Sequence, residues 1–429
     1  MLAGAVTVLL LVLLALGTPV AFALLGAGAV GLWLKGGWPM MAGILASSPA
    51  SAATGYELIT IPMFLFMAEL VILSGAAMRL FASAATWVGR LPGGLGIATT
   101  LAGAGFAAIS GSSTASAATL ASTTVPGMLR QGYEPKLACG VVAISGTLAM
   151  LIPPSIALIL YGIVADVSIG KLLMAGIVPG ILVTIVIALT VFMLVTINPE
   201  SAPNARAYSM REKLASLPPV LPLVVLFAAV TGLIYTGVVT PTEASAIGAT
   251  GALVLVCWER KFEARAIAAA ISNAIRSTCM ILMIILGAHV FGYFIVLTQV
   301  TQNLVAWVAA LPVSPLTVLA IILAGLLVLG AFMDQAAIIV LTVPILLPII
   351  TALGYDPIWF GVIMVVTAEV GLVTPPIGLN AFIVARYTER PIGEVFQGVL
   401  PHVLAHVVII AILVLVPALT LWLPATMQR

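Results

Sequence analysis

A dense run of hydroxyl side chains around one glycine lies inside an otherwise apolar stretch of this 429-residue chain: Ser110-Gly111-Ser112-Ser113-Thr114-Ala115-Ser116. Gly111 permits a helix to end there. Inside a membrane, carbonyl groups freed from helical bonding are tolerated only where they are buried in protein or line a wet cavity. Such carbonyls and hydroxyls are the oxygen ligands that hard cations prefer. The run therefore predicts binding of Na⁺ or of a polar solute; the alternative is that small hydroxyl residues only allow close helix packing.

Two pairs of consecutive prolines mark interruptions in two further apolar segments. Pro153-Pro154 follows Gly146-Thr147, and Pro375-Pro376 follows Glu369-Val370-Gly371. Proline lacks a backbone N–H and clashes with the preceding helical turn, so each helix must break at its pair. One pair alone would indicate a kink. Matched breaks beside small polar residues instead favour a binding site, because transporters build their sites from such discontinuous helices.

Two carboxylates lie in the second half of the chain within apolar sequence. Asp334 falls between 315 and 350, and Glu369 lies just before the second proline pair. A carboxylate at the bilayer centre costs about 2.5–3.5 kcal/mol on insertion scales. We therefore expect each to be hydrogen-bonded, paired or bound to a cation. Glu69 lies outside the interrupted segments, and we interpret it as a structural or interfacial charge.

The two proline pairs belong to an internal repeat with one constant offset. The shift from the first pair to the second is 375 − 153 = 222 residues, and three other matches share it. The four matched pairs are Pro19 and Pro241, Gly132 and Gly354, Pro153 and Pro375, and Gly176 and Gly398. One offset at four places indicates two homologous halves, about 1–197 and 217–429.

Composition places these halves in a membrane. Hydrophobic residues make up 62% of the chain and charged residues only 7%, against about 25% charged residues in soluble domains. Apolar runs of about 20 residues, long enough to span a bilayer, recur from end to end. The sequence contains no phosphate-binding G-x-x-x-x-G-K-[ST] loop and no H-E-x-x-H metalloprotease motif. It excludes a water-soluble fold and indicates transport driven by a gradient or by another subunit.

Basic residues predict that the halves are inverted, because short loops rich in Lys and Arg stay cytoplasmic. Arg90 and Arg130 flank the apolar stretch Pro92–Val125, so both of its ends are predicted to be cytoplasmic and the stretch to be a hairpin; its counterpart, the second hairpin at about Pro315–Ile350, has no Lys or Arg on either flank. The connecting segment 198–216 carries Arg206, Arg211 and Lys213. The first hairpin is therefore predicted to enter from the cytoplasm and the second from the other side. Inverted repeats favour a secondary transporter over a pore, whose symmetry usually comes from identical subunits.

Cysteine and histidine give weaker signals. Cys139, Cys257 and Cys279 are scattered in apolar sequence, and we interpret them as small core residues rather than disulfide or zinc ligands. His402 and His406 are four residues apart, a spacing that could hold a metal ion. No carboxylate accompanies them, so packing or interfacial roles are favoured.

Six motifs together resemble the large (M) subunit of tripartite ATP-independent periplasmic (TRAP) transporters over essentially the whole chain. They are Gly111-Ser112-Ser113, Gly132-Tyr133, Ile152-Pro153-Pro154-Ser155, Pro179-Gly180, Met333-Asp334, and the run from Gly371 to Asn380. The resemblance implies an elevator-type ion transporter fold: an all-α polytopic membrane protein of two inverted repeats with re-entrant hairpins and broken helices.

The resemblance also implies where ligands bind. One sodium site would be framed by Ser112, Ser113, Gly146, Thr147 and Pro153. The other would lie near Asp334, Thr367, Glu369, Gly371 and Thr374. The substrate would lie near Ser110, Thr114, Pro154, Pro376 and Asn380. Thr367 stands where relatives often have Asn.

On the same resemblance the chain divides into a scaffold and a transport domain. The scaffold would comprise 1–78, a cytoplasmic arm at 79–91, and 217–311 with its own arm. The transport domain would comprise 92–197 and 312–429, separated in sequence by a cytoplasmic linker at 198–216. Its parts would be a hairpin at about 92–130, a broken helix at about 137–165, a hairpin at about 315–350 and a broken helix at about 357–385.

The expected function is import of a small organic acid across the bacterial inner membrane, coupled to Na⁺ and without another cofactor. The acid would be of the C4-dicarboxylate, sialic acid or keto-acid type. Expected partners are a separate small four-helix membrane (Q-type) subunit, a soluble periplasmic (P-type) binding protein and the lipid bilayer, with no nucleic acid. Two alternatives stay open: a stand-alone dicarboxylate or citrate symporter of the same fold, and an intramembrane enzyme, for which no nucleophile and base pair is visible.

Overall fold

The computed structural model describes residues 2–203 and 207–427, so Arg206 of the linker lies outside the described residues. Throughout the described part the chain is helical, with short turns and no strand. Seven of the described helices are long and apolar enough to cross a membrane. The prediction of an all-α polytopic membrane fold is confirmed.

Among the described residues, nine helices of each half belong to the repeated series. The first half contains α1 (Leu2–Ala15), α2 (Val20–Ala53), α3 (Thr60–Ser74), α4 (Ala76–Val88), α5 (Gly94–Ser110), α6 (Ser113–Arg130), α7 (Pro135–Thr147), α8 (Ile156–Ala165) and α9 (Ile169–Ile197). Between the halves lies α10 (Met210–Ala215). The second half contains α11 (Leu221–Tyr235), α12 (Pro241–Trp258), α13 (Ala264–Leu297), α14 (Val300–Ala310), α15 (Pro315–Phe332), α16 (Gln335–Ala352), α17 (Pro357–Gly371), α18 (Leu379–Thr388) and α19 (Ile392–Leu415), and α20 (Ala418–Ala425) ends the described chain.

The two series follow the same order, α1 to α11 through α9 to α19, except that α2 is kinked at Gly36 and Gly37 and its second part corresponds to the start of α13. The turn between α6 and α7 contains Gly132, and that between α16 and α17 contains Gly354; both have φ of +84°. Their separation is again 354 − 132 = 222 residues. A left-handed conformation at this φ favours glycine, so the repeat preserves backbone geometry as well as residue type.

Four long helices form one packed unit across the two halves. Helix α2 packs on α13, and its counterpart α12 packs on α3, the counterpart of α13. The contacts are close because glycines face backbone: a methyl group on Gly28 would lie 2.8 Å from the Phe291 backbone. The hydroxyls of Thr60 and Thr242 lie 2.9 Å apart at the α3–α12 contact. These reciprocal contacts are what a pseudo-two-fold relation between the repeats requires.

The linker marks one face of the molecule. The Ser216 hydroxyl at its end lies 3.3 Å from that of Ser83 on α4. At its start, the Ser201 carbonyl accepts a 2.8 Å hydrogen bond from the Glu134 N–H, just after α6. The hydroxyl of Tyr133 accepts a hydrogen bond of 3.1 Å from the Leu95 N–H, which joins both ends of the first hairpin at this linker face.

The second hairpin ends on the opposite face. Helix α9 has 29 residues and runs about 44 Å, at 1.5 Å per residue, from the end of α8 to the linker. At the far side, the Tyr161 hydroxyl of α8 donates a 2.7 Å hydrogen bond to the Pro357 carbonyl, at the start of α17 and just after α16. Equivalent hairpins thus end on opposite faces, and the predicted inversion is confirmed.

The cysteine interpretation is partly wrong. Cys139 is buried, but Cys257 and Cys279 are exposed on the outside of the helix assembly. Apolar neighbours in a membrane protein surround residues that face lipid as well as residues of the core. An apolar sequence context therefore does not indicate burial in this class of protein.

Candidate functional site

The tips of the two hairpins have the same construction. At the first tip, Gly111 ends α5 in the left-handed region at φ +58°, and Ser112 is the N-cap of α6. At the second, Met333 and Asp334 separate α15 from α16, and Asp334 is the N-cap. The Asp334 Oδ1 accepts a 2.9 Å hydrogen bond from the Ala337 N–H. Each tip therefore presents the carbonyl end of one helix beside the N–H end of the next.

The first tip lies against the first broken helix. A methyl group on Gly111 would lie 2.9 Å from the Pro154 carbonyl oxygen. A methyl group on Gly146 would lie 2.9 Å from the Cβ of Ala117 on α6. The structure thereby brings the predicted residues Ser112 and Ser113, which flank the tip, to the region between the end of α7 and the proline pair.

The second tip lies against the second broken helix. The Gly378 N–H donates a hydrogen bond of 3.3 Å to the carbonyl of Ala331 near the end of α15. A methyl group on Gly371 would lie 2.5 Å from the Cα of Gly330, so α15 and α17 touch backbone to backbone. Predicted residues Asp334 and Gly371 therefore belong to one local assembly.

Most hydroxyls at the first tip have partners. The Ser110 and Ser116 hydroxyls lie 2.7 Å apart, and those of Ser112 and Thr114 lie 3.2 Å apart. The Thr147 hydroxyl donates to the Ile144 carbonyl at 2.7 Å, which leaves its lone pairs free to accept or to bind a cation. Ser113 is fully buried and its hydroxyl has no partner among the described residues.

At the second tip the polar groups are larger and more acidic. Hydroxyls of Thr367 and Thr374 donate to carbonyls one turn earlier on their own helix, at 2.8 and 2.6 Å. Glu369 is 1% exposed, and its Oε1 has no partner among the described residues. Gln335 is also 1% exposed; its Nε2 donates to the Val365 carbonyl at 3.2 Å, while its Oε1 has no partner.

Gln335 is a candidate site residue that sequence reasoning missed. It follows Asp334 directly and is the repeat equivalent of Ser113, since 335 − 113 = 222. That equivalence was the available signal. Both members of this pair are buried, and both carry an oxygen without a partner.

Four helices begin in the interior, in two pairs that each join a helix of one repeat to a helix of the other. Helix α6 packs against α18, and α16 packs against α8. Helices α6 and α18 both run from the interior to the linker face, whereas α16 and α8 both run to the opposite face. All four therefore begin in the interior, where their free N–H groups and positive dipole ends favour an anion.

The predicted substrate residues differ in their environments. Asn380, in the first turn of α18, is fully buried, and neither its side-chain oxygen nor its side-chain nitrogen has a partner among the described residues. Its backbone N–H donates to the Leu372 carbonyl at 3.0 Å, across the break. Pro154 is buried, whereas Pro376 is exposed. Asn380 therefore begins the helix that packs beside α6, whereas Pro376 lies at an accessible surface.

The site does not contain a conventional transition-metal cluster. Within residues 2–203 and 207–427, no three His, Cys, Asp or Glu side chains lie close enough to share an ion. His402 and His406 are buried on α19, which belongs to neither hairpin. The His406 Nδ1 lies 2.8 Å from the His402 carbonyl oxygen. A cation at the tips would be held by hydroxyl, carbonyl, amide and carboxylate oxygens, which suit a hard ion.

Comparison with known proteins gives one consistent family. The profile of "Tripartite ATP-independent periplasmic transporter, DctM component" matches residues 7–419. The C4-dicarboxylate TRAP transporter large permease protein DctM of Pseudomonas aeruginosa is 37% identical over 370 residues, 86% of each chain. The sialic acid TRAP transporter large permease protein SiaM of Vibrio cholerae is 30% identical over 375 residues, again 86% of each.

Two further similarities concern chain organisation and fold. The isethionate TRAP transporter permease protein DctMQ of Oleidesulfovibrio alaskensis is 31% identical over 414 residues, 95% of this chain and 64% of that one. The crystal structure of the Alcanivorax borkumensis YdaH transporter has a TM-score of 0.65 at 17% identity, covering 94% and 96% of the two chains. This last likeness supports the fold alone.

The family match covers nearly the whole chain, and its relatives are permeases that work with other TRAP components. Together with the apolar helices, it places the protein in the bacterial inner membrane as a multi-pass subunit. The chain belongs to the DctM family, the large permease component of tripartite ATP-independent periplasmic transporters.

Proposed function

We propose that this permease imports a small organic anion together with Na⁺, by moving the hairpins and broken helices as one body against the scaffold. The anion would be of the C4-dicarboxylate, sialic acid or keto-acid type, as the names of relatives suggest. A periplasmic P-type protein would deliver it, and a separate Q-type membrane subunit would complete the complex. The relative in which two components are fused, DctMQ, supports a requirement for that second membrane component.

One observation carries this proposal: two helices from each repeat begin in the interior, and buried polar atoms without partners lie at the hairpin tips and near the second helix break. The four N-termini of α6, α8, α16 and α18 offer N–H groups for a carboxylate. The unpaired atoms lie on Ser113, Gln335, Glu369 and Asn380. A buried polar atom without a hydrogen bond costs about 1–3 kcal/mol. Such a cluster at paired helix breaks is better explained by ligands that complete it than by packing.

The carbonyl ends of the broken helices supply the opposite polarity for the cation. Near the first tip we assign Na⁺ to Ser112, Ser113, Gly146, Thr147 and Pro153. Near the second we assign it to Asp334, Thr367, Glu369, Gly371 and Thr374. The substrate would lie between the N-termini, near Ser110, Thr114, Pro154, Pro376 and Asn380. Cation and anion would then stabilise each other within one body.

The proposed movement rests on how the two units are built. The reciprocal α2–α13 and α3–α12 contacts supply a rigid frame, and α5–α9 with α15–α19 form a second interlocked unit. We assign the frame to residues 1–78 and 217–311, and the moving unit to 92–197 and 312–429. Helix α4 overlaps the arm at 79–91. Its Arg79 forms a 2.6 Å ion pair with Glu259, which lies in the frame.

The coupling is tested by uptake into proteoliposomes that contain both membrane subunits, with binding protein and labelled organic acid outside. Uptake should fall at least tenfold when external Na⁺ is replaced by K⁺ at equal ionic strength. Unchanged uptake in K⁺ would refute sodium coupling. Full uptake without the Q-type subunit and the binding protein would instead favour a stand-alone symporter.

A further inference from the structure

We propose that Gln335 is a ligand of the coupling cation in the second half, where its Oε1 acts together with Glu369. This inference rests on the proposed sodium-coupled function and deepens it. Gln335 begins α16 directly after the N-cap Asp334 and is 1% exposed. No charge of its own marks it as a site residue, so the argument depends on what its amide contacts.

The amide orientation is fixed by its neighbour. The Gln335 Nε2 lies 3.2 Å from the Val365 carbonyl oxygen of α17. Only the amide nitrogen can donate to a carbonyl, because exchanging the two amide atoms would set oxygen against oxygen. The Oε1 must therefore point away from the Val365 carbonyl, and it has no partner among the described residues.

Glu369 lies one helical turn after the Val365 carbonyl that the amide contacts. Carbonyl groups in an α-helix point towards the C-terminus and bond the N–H four residues later. The Val365 carbonyl thus points towards Glu369, and the two residues share one face of α17 because they are one turn apart. The Gln335 amide, which contacts that carbonyl, is consequently held next to the turn that carries Glu369. Helix α15 contacts α17 through Gly330, next to Ala368 and Gly371.

Two buried oxygen acceptors without partners, both held near the same turn of α17, are stabilised by a positive charge. Among the described residues the ion pairs are Arg79–Glu259, Lys136–Glu134 and Arg390–Glu394, so no basic side chain neutralises Glu369. The Asp334 Oδ1 is already used as the cap of α16. An amide oxygen and a carboxylate are oxygen donors of the kind that a hard cation selects. We infer a sodium ion there rather than a shared proton.

The repeat supports this assignment independently. The equivalent of Gln335 is Ser113, which is likewise the first residue of its helix, fully buried and without a partner for its oxygen. Without a ligand, a buried side-chain oxygen would lack a hydrogen-bond partner at the same position of both halves, although the side chains there differ. A ligand-binding role at both positions explains the coincidence.

The test measures the sodium concentration that gives half-maximal uptake in the reconstituted complex. Gln335→Met keeps the length of the side chain but removes its oxygen, and we expect the half-saturating concentration to rise at least tenfold. Gln335→Glu keeps an oxygen, so we expect a value within threefold of wild type. Gln302→Met, at an exposed position of α14, is the matched control and should not change the value.

The outcomes separate the possibilities. An unchanged sodium dependence in Gln335→Met overturns the inference, as does an equal loss in Gln335→Met and Gln335→Glu, which would indicate that only the bond to Val365 matters. A shift in the pH dependence of uptake with unchanged sodium dependence also overturns it in favour of a proton. If Gln335→Met does not fold, a tenfold loss of sodium affinity in folded Gln335→Glu overturns the inference. Wild-type uptake that does not depend on Na⁺ would refute the proposed function itself.

Discussion

The two repeats build the same backbone around electrically different sites. Three pairs of equivalent positions carry the difference: Ser112 and Asp334, Ser113 and Gln335, Thr147 and Glu369. The first half supplies only hydroxyls at these places, whereas the second supplies two carboxylates and an amide. Duplicated helix ends therefore set the geometry, and side chains set the charge. One repeat can then specialise towards a weakly held ion and the other towards a strongly held one.

The hairpins also pack differently on their broken helices. In the first half the tight contact is between α6 and α7, where Gly146 faces Ala117. In the second it is between α15 and α17, where Gly330 faces Gly371. The first-half equivalents of those two glycines, offset by 222 residues, are Ala108 and Ala149. The first hairpin is thus anchored through its returning helix and the second through its entering helix.

The two helix breaks, at the first and second proline pairs, also differ in exposure. Pro153 and Pro154 are buried, whereas Pro375, Pro376 and Ile377 are exposed. The acidic site therefore lies beside the break that reaches the surface, and the neutral site lies beside the enclosed one.

Neutralising the acidic site should have the largest effect. We expect Glu369→Gln to lower initial uptake at least 100-fold, which corresponds to about 2.7 kcal/mol, because it removes one of the two carboxylates that we assign to the cation. The equivalent change in the first half, Thr147→Val, should lower uptake only about tenfold. Both are measured in proteoliposomes at fixed Na⁺. Equal losses would contradict the electrical difference between the repeats.

Filling the backbone contact of the second hairpin should have an intermediate effect. A methyl group on Gly330 would lie 2.5 Å from the Ala368 carbonyl oxygen and 2.9 Å from the Cα of Gly371, and neither backbone atom can move freely. We expect Gly330→Ala to lower the unfolding free energy by about 1–3 kcal/mol. Gly325→Ala on the same helix is the control, because nothing lies within 4 Å of its added methyl group. Thermal unfolding in detergent makes the comparison, and equal shifts would contradict it.

The sequence predicted the features that local chemistry dictates. Proline pairs force helix breaks wherever they occur, so the ends of α7 and α17 could be placed without a structure. Gly111 likewise indicated the turn of the first hairpin, and the constant offset with the basic flanks indicated inversion. The assignment of individual ligands stays a prediction, since sodium binding at these residues awaits the uptake measurements.

The features it could not predict depend on contacts between distant segments. Gln335 has no charge and an unremarkable neighbourhood in sequence; its unpaired oxygen appears only when α16 meets α17. The same holds for α6 beside α18, which pairs helices from different repeats. The prediction that Cys257 and Cys279 are core residues was wrong for another reason: apolar sequence cannot distinguish a core from a lipid-facing surface.

The smallest expected effect compares the starts of α2 and α12, which follow Thr18-Pro19 and Thr240-Pro241. Thr240 and Glu243 form a reciprocal capping box on α12, whereas α2 has no side-chain cap. We expect Thr240→Ala to lower the unfolding free energy by about 1 kcal/mol, and Thr18→Ala by less than about 0.5 kcal/mol. Paired thermal-unfolding measurements test this. A larger loss of unfolding free energy in Thr18→Ala than in Thr240→Ala would contradict the prediction. It would show that the capping difference between the repeats does not determine the stability of these helix starts.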